Sequence, residues 1–256
     1  LQVNFNIFIL NLAITDLTVS CVGMPFFALD LIFGRWIFDE VTCAMWILSD
    51  WGMTFASVFF LVAISIDRYW AACWPKSYRS LNTNNTRTLV TVAIVWVAVI
   101  IVYIPPFVID RVRWSEPGVC IFSVDNNKDF GIFVGVVGYH IPSLIIVFCY
   151  YKVFVVMRRS GAAFTRAKIS PTAEPGTSTA AGRKKQEDRK QKSQNSKDKK
   201  IFVSLSYIII SYLITWLPWH LTFDLLLIAP DKVGLKFYIF TNYTAFFNSM
   251  LNPLMY

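Results

Sequence analysis

The chain has 256 residues, of which 55% are hydrophobic, 16% aromatic and only 16% charged, and its mean hydropathy is +0.51. A soluble domain of this length carries more surface charge, so that class is excluded. The net charge of +8 does not signify nucleic acid, because 13 of the 24 Lys and Arg residues fall in the single segment 158–200.

The apolar residues gather into six runs, near 4–29, 43–70, 88–109, 130–157, 201–229 and 235–256. Each matches the roughly 20 residues that cross a bilayer core as a helix. None shows the ten-residue alternation of an outer-membrane barrel. The expectation is an all-α, membrane-embedded bundle.

In the first span Asp16 sits mid-run, with Asn11 in the same stretch. An ionisable residue at that depth costs about 2.5–3.5 kcal/mol on insertion scales, so each one is a candidate for function. The second span opens at Cys43 and carries Asp50 seven residues, or two turns, further in. Thr54 and Ser57 follow on nearly the same face. Asp67-Arg68 lies eighteen residues beyond Asp50, roughly 27 Å along an ideal helix. One helix thus holds an acid near one membrane face and an acid–arginine pair near the other.

The later spans are each interrupted by a proline, at Pro142, Pro218 and Pro253. Proline removes a backbone donor and kinks a helix, and such breaks mark where bundles flex or open cavities. Between the fourth and fifth spans, segment 158–200 combines Ser-Pro, Glu-Pro-Gly and a Lys/Arg/Gln/Ser run with few large apolar side chains. A segment that buries so little cannot offset its chain entropy, so disorder is expected there.

The connections alternate in charge. Segment 71–87 holds Lys76, Arg79 and Arg87, and 158–200 is strongly basic. The connections near 30–42, 110–129 and 229–234 are mixed or acidic. The positive-inside rule places the basic segments in the cytoplasm and the others outside. Cys43 and Cys120 then lie where oxidation is permitted, and Cys73 faces the reducing side. A Cys43–Cys120 disulfide is the economical assignment, with two unpaired thiols the alternative. Residue 1 opens almost directly into a span and the sequence stops at Tyr256 without a tail, so it reads as a piece of a longer chain. The sequons Asn84-Asn85-Thr86 and Asn242-Tyr243-Thr244 fall in a cytoplasmic connection and in a span, where glycosylation is not expected.

Taken in order, Asn11-Leu12-Ala13-Ile14-Thr15-Asp16, Asp67-Arg68-Tyr69, Trp96, Trp216-Leu217-Pro218 and Asn252-Pro253-Leu254-Met255-Tyr256 form a set, each on its own span. With Cys43 and Cys120, they make the chain resemble the rhodopsin-like class of G-protein-coupled receptors along nearly all of its ordered length. The resemblance implies a seven-transmembrane helix bundle of which the first helix lies outside this sequence. It implies a plasma-membrane, multi-pass receptor that activates a heterotrimeric G protein, with arrestin and a receptor kinase as further partners and membrane lipids around it. Carried over by position, Asp16, Ser57, Asn248 and Ser249 look like an allosteric sodium pocket, an oxygen-rich set suited to a hard cation. Arg68 looks like the residue that meets the G protein, and Asp198 like the acid that pairs with it at rest. Trp216 resembles an aromatic switch beneath the ligand, and Tyr150 and Tyr256 resemble tyrosines that rearrange when agonist shifts the population toward an open cytoplasmic face. Tyr212, Thr215 and Val58 depart from the residues common in relatives at those places.

Asp50 matches the acid that marks aminergic members, where it pairs with a small cationic amine, and the physics agrees. A carboxylate in a low-dielectric cleft is stabilised by a cation, and aromatic faces add to that attraction. Trp51, Thr54, Trp216, Trp219, His220, Phe223, Tyr243 and Phe246 fall on positions expected to line the pocket. Tyr139 and His220 are placed to meet the far end of a ligand. Val134, Gly135 and Gly138 stand where catechol and phenolamine receptors typically have serines, and Phe246 where a tyrosine is common, so no standard amine subtype fits. The rival readings are a receptor for a peptide or lipid, and a transporter, which the Asp67-Arg68-Tyr69 and Asn252-to-Tyr256 motifs disfavour. An opsin would need a lysine where Phe246 stands, and Lys236 lies near the membrane edge, so a photoreceptor is not expected. No catalytic constellation and no organic cofactor are expected.

Overall fold

In a bilayer the backbone must satisfy its own polar groups, and a long apolar run does so as a helix. The computed structural model describes residues 2–81, 85–122, 128–169 and 178–255, with backbone alone at 2–4, 79, 130, 160–169, 178–201 and 255. Helix α1 (Gln2–Thr18) passes through a π-helical turn (Val19–Gly23) into α2 (Met24–Phe33). Then come α3 (Glu40–Cys73), α4 (Pro75–Leu81) and α5 (Thr86–Trp114). Helix α6 (Lys128–Gly135) continues through a second π-helical turn (Val136–His140) into α7 (Ile141–Ile169), followed by α8 (Ser178–Ile228) and α9 (Leu235–Met255). Among the described residues the only extended pairing is a bridge between Glu116 and Val119.

Five stretches, Phe5–Phe33, Glu40–Cys73, Thr86–Trp114, Gly131–Arg159 and Phe202–Ile228, are long and apolar enough to cross a membrane. The sixth expected span forms α9, which is not among them. The reason lies in its inward face, where Thr241, Asn248, Ser249 and Asn252 are buried against the bundle. Outward faces are apolar instead, with Ile94, Ile101, Leu144 and Ile214 exposed, as lipid contact requires.

Helix α3 is the axis of the bundle and packs against α1, α5 and α7, while α8 packs on α9. Its start is capped by Asp39, whose Oδ1 accepts from the Thr42 backbone N–H at 2.6 Å. That hydrogen bond holds the Asp39 carboxyl below the usual carboxylate range. One apolar cluster runs down the bundle through Phe8, Phe60, Leu61, Ile146, Leu205 and Ile208. A second gathers at the Cys43 end around Val19, Phe27, Trp36, Trp46 and Cys120.

Both π-helical turns have the same cause. Each ends two residues before a proline, Pro25 or Pro142. The proline ring collides with the carbonyl four residues back, and an extra residue in the turn relieves the collision. The sequence reading expected the break at Pro142 but missed the one at Pro25.

Within segment 158–200, where disorder was expected, α7 reaches Ile169 and α8 begins at Ser178. Lack of a core argues against a packed domain, not against a helix, which closes its own backbone hydrogen bonds. The Lys, Arg, Gln and Ala residues there are good helix formers. Residues 170–177 lie outside the described residues.

Candidate ligand cavity and the polar sites beneath it

Asp50 is positioned by three ties on α3. Cys43, two turns before it, is joined to Cys120 by a disulfide with a Cα–Cα distance of 5.7 Å. Trp46 Nε1 donates to the Gly23 carbonyl at 3.2 Å. Tyr103 of α5 donates its hydroxyl to the Ile47 carbonyl at 2.9 Å. The segment therefore cannot rotate without breaking contacts to two other helices and a loop.

The Asp50 carboxylate rests directly on Gly23, where a Cβ would overlap Oδ1. Oδ1 is shut off from solvent and has no hydrogen-bond partner among the described residues. A buried carboxylate oxygen without a donor is costly. Something other than the surrounding side chains must compensate it.

Asp50 opens on a cavity of about 560 Å³. Of the residues expected to form it, Trp51, Thr54, Trp216, Trp219, His220, Phe223 and Phe246 all line it. Ile121 and Phe122, next to the disulfide, close it from outside, and Phe122 packs on Trp51 at 5.1 Å. No Lys or Arg lines it among the described residues. The α6 wall is Val134, Gly135 and Gly138, and a Cβ on Gly138 would overlap the Phe55 ring. Phe55 therefore fills the space where hydroxyl side chains were sought.

Two expectations are corrected. Tyr243 does not reach the cavity. It is 37% exposed and faces a separate hollow between α8 and α9, lined also by Pro218 and Phe247. The α9 positions that face the cavity, Leu235, Tyr238, Asn242, Ala245 and Phe246, recur at helical spacing, and Tyr243 lies about 140° round from Tyr238. Tyr139 is also absent from the cavity wall. It lies within the π-helical turn and stacks on His220. His220 Nε2 is buried without a partner among the described residues.

The sequence reading missed Gly23, Asp30, Trp46, Tyr238 and Asn242. Gly23 carried a signal, since glycine inside a helix often marks a close approach. Asp30 had been assigned to a connection, yet α2 extends to Phe33 and brings it to the cavity wall.

Below the cavity lies the Asp16 cluster. Asp16 is fully buried and accepts from Asn252 Nδ2 at 2.9 Å and from the Ser57 hydroxyl at 3.5 Å. Asn252 Nδ2 also meets Asn248 Oδ1 at 3.3 Å, and Ser249 is 5% exposed beside them on α9. Asn252 Oδ1 is a buried acceptor with no donor among the described residues. One carboxylate with hydroxyl and amide oxygens suits a small hard cation. Among the described residues no group of three or more His, Cys, Asp and Glu side chains could hold a metal. Nearby, Trp96 Nε1 donates to Asn11 Oδ1 at 3.1 Å.

At the far end of α3, Arg68 Nε donates to Asp67 Oδ2 at 3.0 Å. The Tyr78 hydroxyl of α4 donates to the same carboxylate at 3.2 Å, and Arg87 pairs with it from α5. Burial and the Asp67 charge push the Tyr78 phenol up to about 12, so it remains a donor. Arg87 also stacks over Trp70 and Tyr78, at 4.7 and 4.6 Å from the ring centroids. Tyr69 packs edge-on against Trp74 and Phe148. The Tyr150 ring stacks on Phe202 at 5.7 Å, and its hydroxyl is buried without a partner among the described residues. Pro218 and Pro253 lie inside α8 and α9. The Asp198 side chain and all of Tyr256 fall outside the described residues, so the pairing expected for Asp198 is not part of this geometry.

A membrane bundle with an acid-bearing cavity, a polar cluster below it and an arginine held at the opposite end defines a class. Over residues 1–256 the chain matches the model of the 7 transmembrane receptor (rhodopsin family), and it belongs to that family. It is therefore a multi-pass membrane receptor. It is similar to the 5-hydroxytryptamine receptor 1B of Equus caballus and that of Homo sapiens, each 26% identical over 287 residues, covering 98% of this chain and 73% of the relative. The same receptor of Mus musculus is 24% identical over 286 residues, covering 98% of this chain and 74% of the relative.

Proposed function

We propose that the chain binds a small cationic amine, whose ammonium sits on Asp50, and passes the signal to a heterotrimeric G protein from the plasma membrane. One observation carries this reading. A carboxylate with a fully enclosed, unpartnered oxygen opens on an aromatic cavity that has no basic side chain among the described residues. An ammonium in the cavity supplies the countercharge that Asp50 lacks, and Trp51, Trp216 and Trp219 offer faces for cation–π attraction. The name of the similar receptors adds 5-hydroxytryptamine, an aromatic amine, as the first ligand to try.

The coupling follows from the two ends of α3. Arg68 is retained by Asp67 in this arrangement, and releasing it would present a cation to a partner at the cytoplasmic face. The Asp16 cluster fits sodium, held by Asp16 with the Ser57, Ser249 and Asn252 oxygens and Asn248 beside them. A bound cation there would favour the state in which these side chains converge.

The test is nucleotide exchange on a heterotrimeric G protein, driven by the reconstituted receptor and a panel of amines beginning with 5-hydroxytryptamine. Peptide and lipid panels run alongside. Activation by an amine supports the reading, and activation by a peptide or lipid with no response to any amine overturns it.

Two substitutions probe the parts. Gly23→Ala is expected to push the Asp50 carboxylate aside, because its methyl group would occupy the space of Oδ1. Asp50 can turn on its own side-chain bonds, so the fold survives. Amine potency should fall roughly tenfold, about 1.4 kcal/mol, at unchanged surface expression. Unchanged potency would separate Gly23 from the placement of Asp50. Asp67→Asn should raise basal exchange severalfold at matched expression, since hydrogen bonds to a charged group contribute roughly 1.5–3 kcal/mol. Basal exchange equal to that of the unsubstituted receptor would count against Asp67 as the retaining acid.

A further inference from the structure

Asp50 is not the only carboxylate on the cavity wall. Asp30 of α2 also lines it and is half-buried. It stands seven residues after Gly23, which is two helical turns, so it returns to nearly the same face of the helix. Gly23 is the residue on which the Asp50 carboxylate rests. The two acids are therefore stacked along one wall, on the order of 10 Å apart.

The space between them is prepared for positive charge. Phe27, one turn beyond Gly23, lines the wall there and packs against Tyr238 at a centroid distance of 6.4 Å. Asp30, Asp50 and Tyr238 line this one cavity. Neither acid forms an ion pair among the described residues, and no Lys or Arg of the described chain lines the cavity. Two like charges facing one largely apolar cavity repel each other, and neither has a cationic partner among the described residues. A ligand with one positive charge can answer only one of them.

We propose that the cavity takes a dication, with an ammonium on Asp50 and a second cationic group on Asp30, the charges about 10 Å apart. This rests on the amine reading above and adds to it the charge and length of the ligand. Asp30 is then a specificity-determining residue, selecting long diamines over monoamines of equal length.

The probes are octamethylenediamine, octylamine and the short trimethylenediamine. Binding is measured as thermal stabilisation of the purified full chain in lipid nanodiscs, at fixed ionic strength, for the unsubstituted protein, Asp30→Asn and Asp50→Asn. Octylamine is the more apolar of the long pair, so burial alone favours it and works against the proposal. The expected result is roughly tenfold tighter binding of octamethylenediamine than of octylamine, with no such gain for trimethylenediamine. Asp30→Asn should abolish the preference and leave octylamine unchanged, and Asp50→Asn should weaken both long amines. Equal binding of the two long amines, or a preference that survives Asp30→Asn, overturns the dication while leaving the amine reading intact. Octylamine binding that is indifferent to Asp50→Asn, or no binding by any amine at millimolar concentration, overturns both.

Discussion

Asp50→Asn is expected to weaken an amine agonist at least about 30-fold while leaving the bundle folded. Truncating one partner of a desolvated charge pair costs about 2–5 kcal/mol, and each 1.4 kcal/mol is tenfold. The amide keeps the shape of the carboxylate but not its charge, so packing against Gly23 is retained. The fold loses nothing measurable, because Asp50 Oδ1 accepts no hydrogen bond among the described residues. Removing a buried, uncompensated charge should even raise the thermal stability of the ligand-free protein. Concentration–response curves for G-protein nucleotide exchange, with a thermal scan of the same preparations, check both parts. Equal potency in the two proteins would remove Asp50 from the ligand site.

Replacing Cys43 and Cys120 together by serine is the second large effect. The bridge joins positions 77 residues apart, and closing a loop of that size stabilises a fold by about 4–5 kcal/mol in the chain-entropy account. Both cysteines are buried in the apolar cluster at the outer end of the bundle. The loss should lower the melting temperature by on the order of 10 °C. It should also weaken ligand binding, because Ile121 and Phe122 close the cavity and follow Cys120 directly. Arg111 is a second anchor for that segment, pairing with Asp110 and donating to the Ile121 carbonyl. The segment is therefore expected to loosen without detaching, giving a partial loss of affinity. A double variant with unchanged melting temperature and affinity would show that the Arg111 anchor suffices alone.

The sequence made legible whatever depended on uninterrupted helical periodicity. Asp50 could be placed two turns beyond Cys43 because α3 runs without a break from Glu40 to Cys73. The grouping of Ser57, Asn248 and Ser249 with Asp16 came from the family resemblance, and the bond from Asn252 to Asp16 was not foreseen. What periodicity could not show lies beside the π-helical turns. An extra residue in a turn rotates everything beyond it by about 100°. Tyr139 and Gly23 lie inside those turns, where regular helical spacing no longer gives the facing of a residue, and there Tyr139 stacks on His220 and Gly23 meets Asp50. Asp30 was missed for a related reason, since a hydropathy boundary drawn at residue 29 ended the span before the helix ended at Phe33. Tyr243 shows the limit in the other direction, because a position expected to line a pocket can sit one step round the helix and face outward. At the cytoplasmic end, the motif Asp67-Arg68-Tyr69 was plain, but the additional grip of Tyr78 and Arg87 on Asp67 depends on how α4 and α5 fold back, which no local pattern encodes.

The central claim is that Asp50 binds ligand through charge. It is tested most directly by equilibrium binding of one amine and its neutral N-acetyl counterpart to purified receptor, with and without Asp50→Asn. The difference between the two ligands in the unsubstituted protein, less the difference in the variant, isolates the charge pair. A gap of at least about 30-fold is expected in the unsubstituted receptor, shrinking to within a few-fold in Asp50→Asn. A gap of the same size in both proteins would contradict the claim.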